Sequence, residues 1–317
     1  MKRAVTTALR LVVGVVAIAF LLSKIDMDQA AETLRSASPA WLLVAFGAQL
    51  VSKTWWTLRW RTLLASLGHR VGGLTLFRLI LVGLFFNYFL PSSVGGDVVR
   101  GLTLGAHGIS RADAAASVIG DRVVGLLALG TMAVLGGALG AWFWPGDGPW
   151  LASGAFALGV IALILVFTRP QMMERVTAFP MPEGLRTKIR RLVTSASVVA
   201  RRPGAVRRAL VFSILLSTTS SVFHWAIGRS IGIQVPLPAY FVIVPAVMLV
   251  AALPITLNGL GLRELGFVGF LGAQGVPQAT AAVFALLVFL GTIGWGVAGG
   301  VLFLAGDRAP TQREGRA

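Results

Sequence analysis

The stretch Pro91 to Arg100 reads PSSVGGDVVR and follows a strongly apolar run from Leu74 to Leu90. A proline, two glycines, an aspartate and an arginine stand where a membrane helix should be finishing. The chain repeats the device at PITLNGLGLRE, Pro254 to Glu264. Both runs end in proline, glycine and a pair of opposite charges. Two readings compete: plain turns just outside a bilayer, since Gly, Pro and Asp also make ordinary loops, or helices broken inside it.

Composition sets the class. Hydrophobic residues make up 56% of the 317 and charged residues only 13%, with a mean hydropathy of +0.81. A soluble domain carries about a quarter charged residues, so this chain could not cover a soluble surface. Apolar runs of the ~20 residues needed to cross a bilayer recur along it. The reading is an all-α polytopic membrane protein, a single integral membrane domain over 1–317 with no room for an appended soluble domain. The net charge of +16 does not indicate nucleic acid, because the basic residues lie between apolar runs, as in cytoplasmic loops beside anionic lipid. There is no cysteine, which excludes disulfides, thiolate metal sites and cysteine catalysis. The N-terminus has a basic start and an apolar stretch, but no A-x-A precedes Lys24, so an uncleaved first helix is expected.

Full spans are expected at about 4–22, 39–58, 114–141, 150–168, 209–230 and 279–305. Orientation follows from Lys and Arg in the short connections. The linker of about 169–208 carries ten of them, from Arg169 to Arg208, and is placed in the cytoplasm. Lys2, Arg3 and Arg10 put the N-terminus on that side, and Arg308, Arg313 and Arg316 the C-terminus. The turn WFWPGDGPW, 142–150, has no Lys or Arg and is placed outside, as is the 23–38 link. Region 72–112 then starts and ends inside, and region 237–277 starts and ends outside. The simplest solution is two oppositely oriented re-entrant hairpins, giving a first repeat of about 39–141 and a second of about 209–305. Irregular backbone survives at membrane depth only where it is buried in protein or lines a watery cavity. Paired broken helices point to an inverted-repeat transporter and its site, and charges at that depth are costly and by default functional.

The segments NYFLPSSVGGDVVR (87–100), DRVVGLLAL (121–129) and PITLNGLGLRELGF (254–267) resemble the lysylphosphatidylglycerol synthase transmembrane family over roughly 5–305. This is the flippase-like membrane domain of the bacterial multiple peptide resistance factor, which also occurs alone. The resemblance implies a lipid-translocating domain with inverted-repeat organisation in the bacterial inner membrane. In the full-length factor a separate soluble domain makes the lipid from aminoacyl-tRNA. With this chain ending at Ala317, synthase activity is expected to be absent.

The residues themselves suggest roles. In the first hairpin, Pro91 breaks the helix, Gly95 and Gly96 offer positive φ and close backbone approach, and freed N–H groups at a helix N-terminus can hold a phosphate. Arg100 adds a planar fork suited to a phosphodiester. Asp97 lies one turn away and could orient it. Asn87, Ser92 and Ser93 supply polar contacts. In the second hairpin, Asn258, Gly259 and Gly261 form the turn. Arg263 and Glu264, about 100° apart on a helix, are expected not to pair with each other. Arg263 is assigned to a lipid phosphate, and Glu264 to a cationic headgroup or a proton. The alternative for both hairpins is ion pairing that serves the fold alone. Asp121 and Arg122 either line the same cavity or, for Arg122, snorkel to the interface. Lys53, Trp55, Trp56, Arg59, Trp60 and Arg61 are read as an interfacial anchor. Gly296 and Gly300 are spaced for close helix packing, within the chain or in a homo-oligomer.

Enzyme signatures are missing. There is no Walker loop and no G-x-S-x-G elbow, and His69, His107 and His224 have no ligand spacing. No cofactor is expected. The reading is a flippase or transporter for a phosphate-containing lipid, not an enzyme, with membrane lipids as partners. Two alternatives remain: a membrane-embedded headgroup transferase using Asp97, Asp121 or Glu264, and a non-transporting scaffold.

Overall fold

Long apolar stretches in lipid must satisfy their backbone internally, which leaves helices and closed barrels. The computed structural model describes residues 27–89, 95–140, 154–162, 201–252 and 259–305, with isolated positions 165, 183 and 256, and every element among them is a helix. In chain order these are α1 (Met27–Arg35), α2 (Pro39–Ser66), α3 (Gly73–Phe89), α4 (Gly95–Ala106), α5 (Arg111–Gly140), α6 (Pro203–Ser230), α7 (Leu237–Ala252), α8 (Leu262–Gly272) and α9 (Gln278–Leu304). A further helical segment covers 154–162. Pro39 and Pro203 sit at the starts of α2 and α6, where a missing N–H costs nothing.

The chain is an all-α polytopic membrane protein. By length and composition, α5, α6 and α9 can cross a membrane. α2 has the length, 28 residues, but its inward face carries Gln49, Lys53, Thr57 and Arg59, all buried. The expected spans at 4–22 and 150–168 lie outside the described residues, apart from 154–162. Large apolar side chains such as Leu43, Phe46, Leu102, Leu290 and Leu304 face outward, as a lipid-exposed surface requires.

The two expected hairpins are α3–α4 and α7–α8. Their second limbs have 12 and 11 residues, so each rises about 16–18 Å, roughly half of a ~30 Å hydrocarbon core. The order long helix, short apolar helix, half-length helix, long helix occurs twice, in α2–α5 and in α6–α9. Lengths run 28, 17, 12 and 30 residues in the first set and 28, 16, 11 and 27 in the second.

The leading helices α2 and α6 lie antiparallel, because Trp41 meets Trp225, Ser52 bonds Thr219, and Trp55 stacks on Phe212. The hairpins trade partners: α3 packs on α9, and α7 on α5. In each pairing a bare glycine lies against a backbone carbonyl. A side chain on Gly299 would collide with the Leu81 oxygen, and one on Gly136 with the Phe241 oxygen. Gly296 and Gly300 pack beside Tyr88 and Phe85 of α3, so this glycine stripe is used within the chain.

One apolar core gathers Trp60, Leu64, Leu76, Ile80 and Leu104 in the first set. The other gathers Phe223, Tyr240, Phe267 and Phe284 in the second.

Candidate functional site at the two helix breaks

The first break is tied together at Gly96. Its N–H donates to Asn87 Oδ1 at 2.9 Å, so Asn87 satisfies one of the free donors at the start of α4. The α3 backbone passes so close that a side chain on Gly96 would strike the Gly83 carbonyl oxygen. The expectation of positive φ is corrected, since Gly95 and Gly96 already belong to α4 and are absent from the left-handed glycines. Close approach is what requires glycine at 96. Ser92 and Ser93 lie outside the described residues.

Asp121 is the hub. Its Oδ1 accepts from Arg59 Nε at 2.6 Å, and its Oδ2 from Trp56 Nε1 at 2.8 Å and Arg100 Nη2 at 3.2 Å. Arg59 also donates to Ser213 of α6 at 3.2 Å. The Arg100 guanidinium lies over the Trp60 ring at 3.9 Å and near Trp56 at 5.3 Å, a cation–π seat that partly replaces lost hydration. Asp121 and Arg100 are each only 1% exposed. The interfacial-anchor reading of α2 is therefore corrected for Lys53, Trp56, Arg59 and Trp60. Arg59 turns inward to neutralise Asp121, Trp56 donates to the same carboxylate, Trp60 donates to Ser117 at 3.3 Å, and Lys53 donates to Gln49 at 2.7 Å. Arg61 is exposed.

Arg100 is not fully satisfied. Its Nη1 stands 3.6 Å from Asp97 Oδ1, too far for a hydrogen bond, and its buried Nε and Nη1 have no hydrogen-bond partner. Asp97 gives its other oxygen to Arg122 Nε at 2.7 Å. The Arg122 side chain is 52% exposed.

At the second break, Gly259 and Gly261 adopt φ of +74° and +82°, the left-handed conformation glycine permits. Asn258 lies outside the described residues. Glu264 Oε2 accepts the Gly261 N–H at 2.7 Å, the acidic half of a capping box. Its Oε1 accepts from Arg263 Nη2 at 2.7 Å and Nε at 3.1 Å. The expectation that these neighbours do not pair is thus corrected. At the first turn of α8 there is no preceding turn in the way, and the long arginine reaches round to the carboxylate.

The two breaks meet. A cavity of about 350 Å³ is lined by Asn87, Tyr88, Asp121 and Arg122 from the first set and by Ser217, Ser220 and Arg263 from the second. Tyr88 and Arg263 interact directly across it. A larger groove of about 860 Å³ runs between α4 and α5, lined by Asp97, Val98, Leu102, Ile109 and Val118. Gly101 and Gly105 open it, for no atom lies within 4 Å of where their side chains would begin.

Sequence reasoning missed Arg59, Trp56, Trp60, Tyr88 and the serines of α6. The signal was present as helical periodicity: Gln49, Lys53, Trp56 and Trp60 on one face of α2, and Ser213, Ser217 and Ser220 on one face of α6.

A helical membrane protein with a charged cavity between two broken hairpins is the class this geometry defines. The chain belongs to the lysylphosphatidylglycerol synthase TM region family, which it matches over residues 7–300. It is similar to a UPF0104 membrane protein of Methanothermobacter thermautotrophicus, 34% identical over 117 residues that make up 36% of this chain and 35% of that protein. It is also similar to a UPF0104 membrane protein of Methanocaldococcus jannaschii, 28% identical over 86 residues, 27% of this chain and 26% of that protein. The matched stretches thus span about a third or less of these relatives' lengths.

Proposed function

We propose that this protein moves a phosphate-bearing lipid between leaflets, passing the headgroup through the cavity while the tails stay apolar. One observation carries the reading: the cavity lined by Asp121, Arg122 and Arg263 and the groove between α4 and α5 adjoin at the Asp97–Arg122 ion pair. Arg122 lines the first, Asp97 lines the second, and they bond at 2.7 Å. A lipid has this same division, with a charged head joined to an apolar tail. Arg100, Arg122 and Arg263 supply guanidinium groups whose planar donors suit a phosphodiester.

The antiparallel α2 and α6 and the exchanged hairpins support an inverted repeat, in which binding sites fall between the halves. In this reading the basic linker of about 169–208 faces the cytoplasm, and the membrane is the bacterial inner membrane. The reading is transport, not chemistry. Asp97, Asp121 and Glu264, the carboxylates that a headgroup transferase would use, are each engaged by arginine.

The test is reconstitution into vesicles carrying a fluorescent phosphatidylglycerol, with dithionite bleaching of the outer leaflet. Protein-containing vesicles should bleach beyond the outer-leaflet fraction. Bleaching no further than in protein-free vesicles refutes the reading. A new lipid species on chromatography would favour the transferase instead.

A further inference from the structure

We infer that the cavity selects a net-anionic headgroup and disfavours one carrying an aminoacyl cation, which sharpens and rests on the lipid-transport reading. The argument is a charge count. Among the described residues, the ionic groups in or bonded to the cavity are four guanidinium groups, Arg59, Arg100, Arg122 and Arg263, and three carboxylates, Asp97, Asp121 and Glu264. One positive charge is left over.

The unmet hydrogen-bonding capacity around Asp97 and Arg100 is one acceptor oxygen against two donors. Both oxygens of Asp121 are bonded, as are both of Glu264. The free oxygen of Asp97 faces Arg100 at 3.6 Å. On the other side, the buried Nε and Nη1 of Arg100 are donors with nothing to receive them. A phosphate in the cavity would meet the guanidinium groups of Arg122 and Arg263, which line it. An ammonium would find Asp97, Asp121 and Glu264 each already bound to a guanidinium. The break segments 90–94 and 253–258 contain no Asp or Glu, so they add no receptor for a cation.

A phosphatidylglycerol headgroup carries one negative charge and offsets the excess. A lysyl ester adds two ammonium groups and reverses the sign, and like charges in a low-dielectric site repel strongly. A free phosphate shares the anionic chemistry, but the adjoining apolar groove favours an anion with a tail.

The experiment is native mass spectrometry of the full chain in nanodiscs holding equal phosphatidylglycerol and lysylphosphatidylglycerol, alongside the vesicle assay with each lipid labelled. Phosphatidylglycerol should be retained and moved at least ten-fold in preference. Arg122→Gln should cut that preference several-fold, while Arg61→Gln, on the exposed face of α2, should leave it unchanged. Equal handling of both lipids, or preference for the lysyl form, overturns the charge selection and leaves lipid transport standing. Movement of neither lipid overturns both. Release of bound phosphatidylglycerol by excess inorganic phosphate would reassign the site to a soluble anion.

Discussion

Arg122 donates to Asp97 across the seam between the cavity and the groove, at 2.7 Å, with the arginine half in the open and the aspartate nearly covered. The pair joins α4 to α5 where one compartment becomes the other. On the proposed lipid-transport reading, a headgroup entering the cavity from the groove passes this pair, and its phosphate competes with Asp97 for Arg122.

Arg122→Gln should therefore slow lipid movement at least ten-fold while changing stability by no more than about 1 kcal/mol, the range of exposed pairs. Bleaching kinetics beside a thermal melt in detergent separate the two. A melt lowered as much as the rate would make the pair a fold element.

Asp121→Asn should behave in the opposite sense. It leaves Arg59 and Arg100 buried around a neutral group, and breaking such a network costs about 3–5 kcal/mol. Loss of a monodisperse detergent peak is the expected outcome. A variant as stable as wild type would mean that a relaxed arrangement can hydrate both arginines.

At the second break, Glu264→Ala should destabilise by about 1–3 kcal/mol, because the Gly261 N–H and the Arg263 guanidinium lose one acceptor together. Glu264→Gln should recover part of this, since an amide oxygen can still cap the helix. Melting temperatures of the two variants check the order, and equal values would remove the cap from the account.

Glycine substitutions along α4 should divide sharply. Gly96→Ala drives a methyl into the Gly83 carbonyl and should cost about 1–3 kcal/mol or more. Gly101→Ala meets no neighbour and should be neutral or stabilising by up to about 1 kcal/mol. Gly101→Leu should fold and narrow the groove, so a slower rate with an unchanged melt is expected.

Much of this architecture is legible in the residues. The Pro, Gly and charge at each break mark where the two hairpins, α3–α4 and α7–α8, turn. Asn87, Asp121, Arg122 and Arg263 line one cavity, and Asp97 and Arg100 are paired with Arg122 and Asp121 at its edge. The errors have one cause: a charge in sequence does not disclose its partner. Arg59 looks interfacial because it stands among tryptophans at the end of an apolar run, and only the packing of α2 on α5 brings it to Asp121. Arg263 and Glu264 look incompatible on an ideal helix. They pair because the first turn has none before it, and helix starts are hard to fix from sequence.

The contact of Gly299 with the Leu81 carbonyl has a mechanical meaning. Where backbone touches backbone there is no side chain to repack, so α3 and α9 cannot roll over each other by changing rotamers. Gly136 and Phe241 fasten α5 to α7 in the same way. Each hairpin's outer limb is thereby geared to a helix of the opposite half, and any opening of the cavity would drive both halves at once. The half-length limb α4 belongs to the same frame, because Gly96 lies against the Gly83 carbonyl of α3 in the same way.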